Sequence, residues 1–135
     1  MAKSFARYLR PALDIEARDG KVYSVPPPSK DTGLVLAAIV AYGMNKAAGR
    51  ETNDETMTLW DSVPADTPLA HLSLTQRVYE QMLADGQPEI DVDRYALYAQ
   101  YYWTMGEAVA DQVLEVTYGP AEDAADGGEG AAPKD

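Results

Sequence analysis

Apolar residues recur at helical spacing over most of this chain, and they are densest in residues 92–104, VDRYALYAQYYWT. One stripe of that predicted helix, at positions i, i+3, i+7 and i+10, consists of Tyr95, Tyr98, Tyr102 and Met105. Tyr101 and Trp103 add aromatic surface outside this stripe, and Asp91 is predicted to cap the helix. A helix that is aromatic on more than one side must be enclosed by neighbours or cover a partner. We therefore predict that it is the central helix of the core.

Near the N-terminus, apolar residues recur at every second position instead of at helical spacing. Apolar and charged positions alternate in the stretch LDIEAR, and the Asp19-Gly20 pair that follows favours a tight turn. The pattern predicts a β-hairpin with strands near residues 12–17 and 21–25. Before it, apolar residues at helical spacing predict a short helical turn within residues 1–11, ended by a proline.

Helical periodicity returns after three prolines at residues 26–28, which force an extended connection. Ser29 is predicted to cap the next helix and Gly49 to end it. The patterns S-x-x-Q and T-x-x-E predict capping boxes that begin at Ser73 and Thr104. Besides the aromatic helix, the predicted helices span residues 30–48, 54–62, 74–84 and 105–117.

A chain of 135 residues is long enough for one domain with its own core. We predict a mainly α fold: a compact four- to five-helix domain over residues 1–119, with one N-terminal β-hairpin at about residues 12–25. Residues 120–135 hold five acidic residues, one lysine and no large apolar residue. Such a segment cannot offset its ordering entropy by burial, so we predict a disordered acidic tail.

Composition narrows the classes of function. The net charge of −11 opposes binding to a nucleic acid backbone. The longest apolar run, residues 33–43, is too short for a membrane span, and no apolar segment follows the basic start of the chain. There is no cysteine, which fits a reducing compartment. We expect a soluble intracellular protein that binds neither nucleic acid nor membrane.

No residue pattern in the chain indicates a catalytic site, a metal site or a cofactor site. His71 is the single histidine, and no second ligand or base stands at a readable spacing from it. Asp91 and Asp93 start like a calcium loop but lack its glycine and its final glutamate. Glu107 and Asp111 share a helix face that is most simply solvated. We predict no catalytic residue, no metal site and no cofactor.

Three stretches together resemble the small tail assembly chaperones of long-tailed actinobacterial phages. They are GKVYSVPPPSKDTGL at residues 20–34, LTQRVYEQMLADGQP at residues 74–88, and ALYAQYYWTMGEAVADQVLE at residues 96–115. The resemblance implies a non-enzymatic protein that binds the tape measure protein and keeps it soluble while tail tube subunits polymerise around it. It also implies action in the cytoplasm of the infected host, absence from the finished tail, and a longer form made by translational frameshift.

A chaperone for an amphipathic helix needs adaptable apolar surface rimmed by charge. The candidate contact residues come from the two most apolar predicted helices: Leu34, Val35, Ile39, Tyr42, Tyr95, Tyr98, Tyr102 and Trp103. Core packing is the simpler role for any one of them, and homo-oligomerisation stays open. Two other functions remain: a small acidic inhibitor, such as a DNA mimic, and a structural tail or head–tail protein whose hairpin pairs with neighbouring subunits.

Overall fold

The computed structural model describes residues 2–5 and 12–127, and for residues 120–127 it describes the backbone alone. The mainly α fold with one N-terminal hairpin is confirmed, with five α-helices in the described residues. In chain order the elements are β1 (Leu13–Glu16), β2 (Val22–Val25), α1 (Lys30–Ala47), α2 (Asp54–Asp61), a π-helical segment (His71–Thr75), α3 (Gln76–Ala84), α4 (Glu89–Met105) and α5 (Glu107–Gly127). The helical turn predicted at the N-terminus falls largely on residues 6–11, outside the described part.

The hairpin forms where the alternating pattern predicts it. β1 and β2 pair antiparallel, with Leu13 opposite Val25 and Ile15 opposite Tyr23. These four side chains point to one face and are buried in the core, as the period of a strand requires. Gly20 adopts φ +91° in the turn, a conformation that side chains with a Cβ rarely adopt. A two-stranded hairpin is marginal alone, and here its apolar face is covered by the helices.

The aromatic helix α4 is the central element, as predicted. It contacts α1, the π-helical segment, α3 and α5. Its deepest line, however, consists of the small residues Val92, Ala96 and Ala99. Of the predicted aromatic stripe, Tyr102 is buried, whereas Met105 is 45% exposed. Small side chains on the inward line let neighbouring helices approach closely, and the larger rings then reach out along the flanks.

Asp91 does not cap α4, which corrects the sequence prediction. The cap position is Pro88, which makes no side-chain hydrogen bond to the helix. Asp91 lies in the first turn instead, where the helix dipole favours a carboxylate, and its carboxylate is bound by Arg18 from the hairpin. The Asp91 carboxylate, which local spacing predicted to cap the helix, therefore binds a cation that is distant in the sequence.

The capping box predicted at Ser73 is also wrong. The chain is already helical before this residue, and the π-helical segment places Ser73 inside the fold. Its hydroxyl donates a hydrogen bond to the carbonyl of Ala96, at 2.9 Å. Thr75 caps α3 instead, because its hydroxyl accepts from the backbone N–H of Val78.

The break between α4 and α5 falls at Gly106, as predicted, with φ +99°. Thr104 forms no capping box, because its hydroxyl donates to the carbonyl of Gln100 in the preceding turn. α5 was expected to end near residue 117, but its backbone continues to Gly127. The helix thus enters the segment predicted to be disordered, where alanine and acidic residues are compatible with a helix. The rest of that tail, residues 128–135, lies outside the described residues.

None of the helices within residues 12–127 combines the length and the apolar content that crossing a bilayer requires.

Candidate functional site

Helix α1 exposes an apolar face that no other described element covers completely. Ser29 caps it as predicted, because its hydroxyl accepts from the backbone N–H of Thr32. The buried residues of α1 are Leu36, Ala38 and Val40. The four candidate contact residues on this helix lie outside that set: Leu34 is 45% exposed, and the half-buried ones are Val35, Ile39 and Tyr42. These last three fall at i, i+4 and i+7, so they form one stripe along the helix.

Helix α2 packs against α1 beside this stripe. The rings of Tyr42 and Trp60 stack with their centroids 4.8 Å apart. Trp60 keeps 37% of its surface exposed, so the stacked pair is a platform as well as a contact between helices. Asn53 caps α2 by accepting from the backbone N–H of Thr56, at 2.8 Å.

A groove of ≈ 450 Å³ opens between α1, the end of α2 and the start of the π-helical segment, and we call it the α1–α2 groove. Every lining side chain except that of Thr67 is apolar. The larger apolar side chains in the lining, which would supply most of the contact with a ligand, are those of Ile39, Trp60, Val63, Pro64, Leu69 and Leu72. This volume and lining are typical of sites that bind apolar side chains.

The lining residues Leu69 and Leu72 lie near a strained residue. Leu72 belongs to the π-helical segment, and Thr75 at the end of that segment has φ +71° and ψ 150°. A β-branched residue adopts this region only when the surroundings impose it, and such strain is often found at functional sites. The ring of His71 packs edge-on against Tyr79, with centroids 5.0 Å apart, so this histidine contributes to packing.

The segment that supplies half of the groove lining is acidic, and we call residues 51–66 the rim of the groove. These residues include α2 and the start of the loop after it, and they carry no lysine or arginine. Their acidic residues are all exposed, and none forms a salt bridge within the described part of the chain: Glu51, Asp54, Glu55, Asp61 and Asp66. The nearest cations in sequence and contact are Arg50, which directly precedes this stretch, and Lys46, whose Nζ is 5.9 Å from the ring centroid of Tyr42. Residues 51–66 themselves carry five acidic side chains and no basic one.

The four candidate contact residues on α4 have partners inside the protein. Tyr102 is buried, and the indole N–H of Trp103 donates to the carbonyl of Ser73, at 3.2 Å. The hydroxyl of Tyr98 donates to Asp111 on α5, at 2.7 Å. Burial and this bond to a carboxylate both raise the pKa of the Tyr98 hydroxyl. Tyr95 is half-buried, and burial raises the pKa of its hydroxyl too. The structure thus separates the α4 candidates from the α1 candidates.

A second groove, of ≈ 500 Å³, lies between β1, α4 and α5 and includes Tyr95 and Tyr98. Its walls mix apolar side chains with Asp14, Glu107 and Glu115. The guanidinium of Arg94 lies over the ring of Tyr118, 4.3 Å from its centroid. An apolar ligand in this groove would desolvate charged groups, which is costly, so the α1–α2 groove is the better binding site.

No cluster of His, Asp and Glu side chains suited to a metal ion occurs within residues 2–5 and 12–119. The α1–α2 groove can make apolar contacts with a ligand, and its rim is negatively charged. Sequence reasoning found Ile39, which lines the groove, and Tyr42, which stacks on the lining residue Trp60, but it missed Trp60, Leu69 and Leu72. The only signal for Trp60 was its place on the apolar side of a short predicted helix, next to Val63.

The fold and the groove define a small, mainly helical domain with an acid-rimmed apolar surface. Residues 3–135 match the family model DUF7426, which is described as a domain of unknown function, and the chain belongs to that family. No curated protein and no solved structure matches the chain.

Proposed function

We propose that this chain is a phage tail assembly chaperone that binds the tape measure protein and keeps it soluble during tail morphogenesis. The α1–α2 groove carries this proposal, because it is an apolar site with a negative rim and no chemistry of its own. The assignment to a phage tail comes from the three stretches that resemble the chaperones of long-tailed actinobacterial phages.

The physical requirements of that task fit the surface. A long helical client exposes an apolar face until tail tube subunits enclose it, and such faces aggregate when left uncovered. A groove between helices covers part of the face. The net charge of −11 then keeps the resulting complex soluble.

The proposal includes the wider role of such a chaperone. The protein acts without catalysis and without a cofactor, in the cytoplasm of the infected host, and it is left out of the mature virion. A longer frameshifted form shares its helical domain. Of the competing functions, a DNA mimic needs ordered rows of carboxylates and has no use for an apolar groove beside them, so the groove favours the chaperone.

Co-expression with a fragment of the tape measure protein encoded in the same genome tests the proposal. We expect the soluble fraction of the fragment to rise severalfold when the full chain is present. The matched control is an unrelated acidic protein of similar size and net charge, because charge alone can improve solubility. Equal solubility with the chain and with that control would contradict the proposal.

Mass spectrometry of purified virions separates the chaperone from the structural alternative. We expect the chain to be abundant in lysates of infected cells and absent from mature particles. Its presence in the particles at the copy number of a tail subunit would favour a structural protein.

A further inference from the structure

We infer that the α1–α2 groove selects a cationic amphipathic helix, with an apolar stripe that enters the groove and lysine or arginine residues along its flanks. This inference rests on the proposed function and specifies which client segment the site would take. It follows from three properties of the groove: its backbone hydrogen bonding, its dimensions and its charge.

The groove presents mainly side chains, and part of its lining backbone is already paired. Helical segments supply Ile39, Trp60 and Leu72. In the connecting loop, the N–H of Val63 donates to the carbonyl of Trp60, at 3.3 Å, and the N–H of Thr67 donates to that of Pro64, at 3.0 Å. An extended segment would therefore bury backbone groups without partners, which costs free energy. A helix satisfies its backbone internally and presents only side chains, so a helix is the conformation that fits.

The volume of the groove limits the number of anchors. At ≈ 450 Å³ it has room for a few apolar side chains from one face of a helix. Such side chains recur at i, i+3 or i+4, and i+7. The indole of Trp60, which is held by stacking on Tyr42, gives these anchors a flat apolar contact, and Leu69 and Leu72 add aliphatic contacts in the same groove.

The negative charge of the rim determines which residues the client helix should carry on either side of its apolar stripe. Asp61 directly follows Trp60 in the chain, and Asp66 stands between two lining residues, Ala65 and Thr67. Both carboxylates are exposed, and their neighbours in the chain line the site. A helix with basic flanks meets them favourably, whereas a second copy of this chain would bring two acidic rims together. The rim therefore disfavours self-association through this face.

Synthetic helical peptides of about 14 residues, roughly four turns, test the inference with the full chain. One carries a leucine stripe with lysine flanks, one the same stripe with glutamate flanks, and a third has the lysine composition with the stripe scrambled. Fluorescence anisotropy of labelled peptides gives the affinities. We expect the lysine-flanked stripe to bind at least about tenfold more tightly than either control, and to weaken as salt rises from about 50 to 300 mM.

Two pairs of variants locate the binding. The test pair, Asp61→Lys with Asp66→Lys, reverses the charge at two positions of the rim. The control pair, Glu89→Lys with Asp93→Lys, makes the same change in net charge at exposed positions on α4, outside the lining residues. Only the first is expected to weaken the lysine-flanked peptide, by about tenfold. Trp60→Ser is expected to weaken it by a similar factor or more, whereas Ile90→Ser, at a more exposed residue outside the groove, is expected to leave it unchanged.

Equal binding of the three peptides, or equal weakening by both charge-reversal pairs, would overturn the inference. So would a dimer, measured by light scattering, that Trp60→Ser dissociates. This result is separable from that of the co-expression test. If the chain solubilises the tape measure fragment but binds the three peptides equally, the inferred selectivity of the groove is wrong and the chaperone proposal stands. If the chain prefers the lysine-flanked peptide but the fragment stays insoluble, the proposed client is wrong and the inferred selectivity stands.

Discussion

Arg18 and Asp91 are 73 positions apart in the chain and are joined by two parallel hydrogen bonds. Nε of the guanidinium donates to Oδ2 and Nη2 donates to Oδ1, each over 2.6 Å. The Asp91 side chain is 11% exposed and that of Arg18 is 65% exposed, so the carboxylate is the buried partner. This bidentate pair ties the turn of the hairpin to the first turn of α4, and it thereby sets where the hairpin lies on the helices.

The Arg18–Asp91 pair predicts a specific dependence of stability on pH. The hydrogen bond from Arg18 lowers the pKa of the Asp91 carboxyl, against the opposing effect of burial. A carboxyl with a lowered pKa in the folded state stabilises fully above the unfolded pKa, about 3.9, and loses this contribution as pH falls through the lowered value. Asp91→Asn should therefore lower the urea midpoint at pH 7, and the difference from the wild type should shrink below about pH 4. Asp93→Asn, at the exposed neighbour, is the control; a constant difference down to pH 2 would contradict the prediction.

Tyr23→Phe should destabilise the protein by removing a single oxygen. The hydroxyl of buried Tyr23 donates to Asp85, at 2.8 Å, and accepts from the Gln87 amide, at 3.0 Å. Its loss leaves Gln87, which is also buried, with fewer partners, and we expect a cost of about 1–3 kcal/mol in the free energy of unfolding. Tyr79→Phe, at a half-buried ring, should change it by less than about 0.5 kcal/mol. Equal effects in urea denaturation would show that the network contributes little.

Thr75 should respond differently to alanine and to glycine. Both substitutions remove the hydroxyl that caps α3, which costs about 1 kcal/mol. Alanine keeps the Cβ at φ +71°, whereas glycine relieves that strain, which is of order 1–3 kcal/mol. After the larger chain entropy of unfolded glycine is subtracted, Thr75→Gly should be more stable than Thr75→Ala by about 1 kcal/mol. Thermal unfolding measures the order of the two variants, and the reverse order would mean that Thr75 is not strained in solution.

Leu74 and Leu34 should differ sharply although both are leucines on helical segments. Leu74 has no exposed surface and belongs to the core cluster, so Leu74→Ala should cost about 2–5 kcal/mol. Leu34 is 45% exposed, so Leu34→Ala should change the free energy of unfolding by less than about 0.5 kcal/mol. Chemical denaturation of both variants checks this. A large effect at Leu34 would mean that its face is covered in solution, for example in an oligomer.

The sequence predicted the elements well because their signals are local. The hairpin follows from alternation and from Asp19-Gly20, and α1 follows from helical spacing between Ser29 and Gly49. Each of these features is set by backbone geometry within a few residues, so one sequence contains all the information needed. The break at Gly106 belongs to the same group.

Two of the errors, at Ser73 and Asp91, occur where a polar side chain has two possible partners, one local and one distant. Ser73 fits a capping box but donates to Ala96 on another helix, and Asp91 fits a cap but binds Arg18. Local spacing names only the first kind of partner. The choice depends on burial, because a buried hydroxyl or carboxylate must find whichever partner the packed fold brings within reach.

By itself, the sequence determined the fold class, the order and limits of most elements and the acidic charge, because these depend on short-range periodicity and on composition. Only the tertiary structure decided which apolar faces are covered. It turned α4 so that small residues face inward and most of the tyrosines lie along its flanks, and it brought Ile39, Trp60 and Leu72 from three separate segments into one groove. Helical spacing states which residues share a face. The face that remains open is settled by how all the helices pack together, since each helix buries whatever its neighbours can reach.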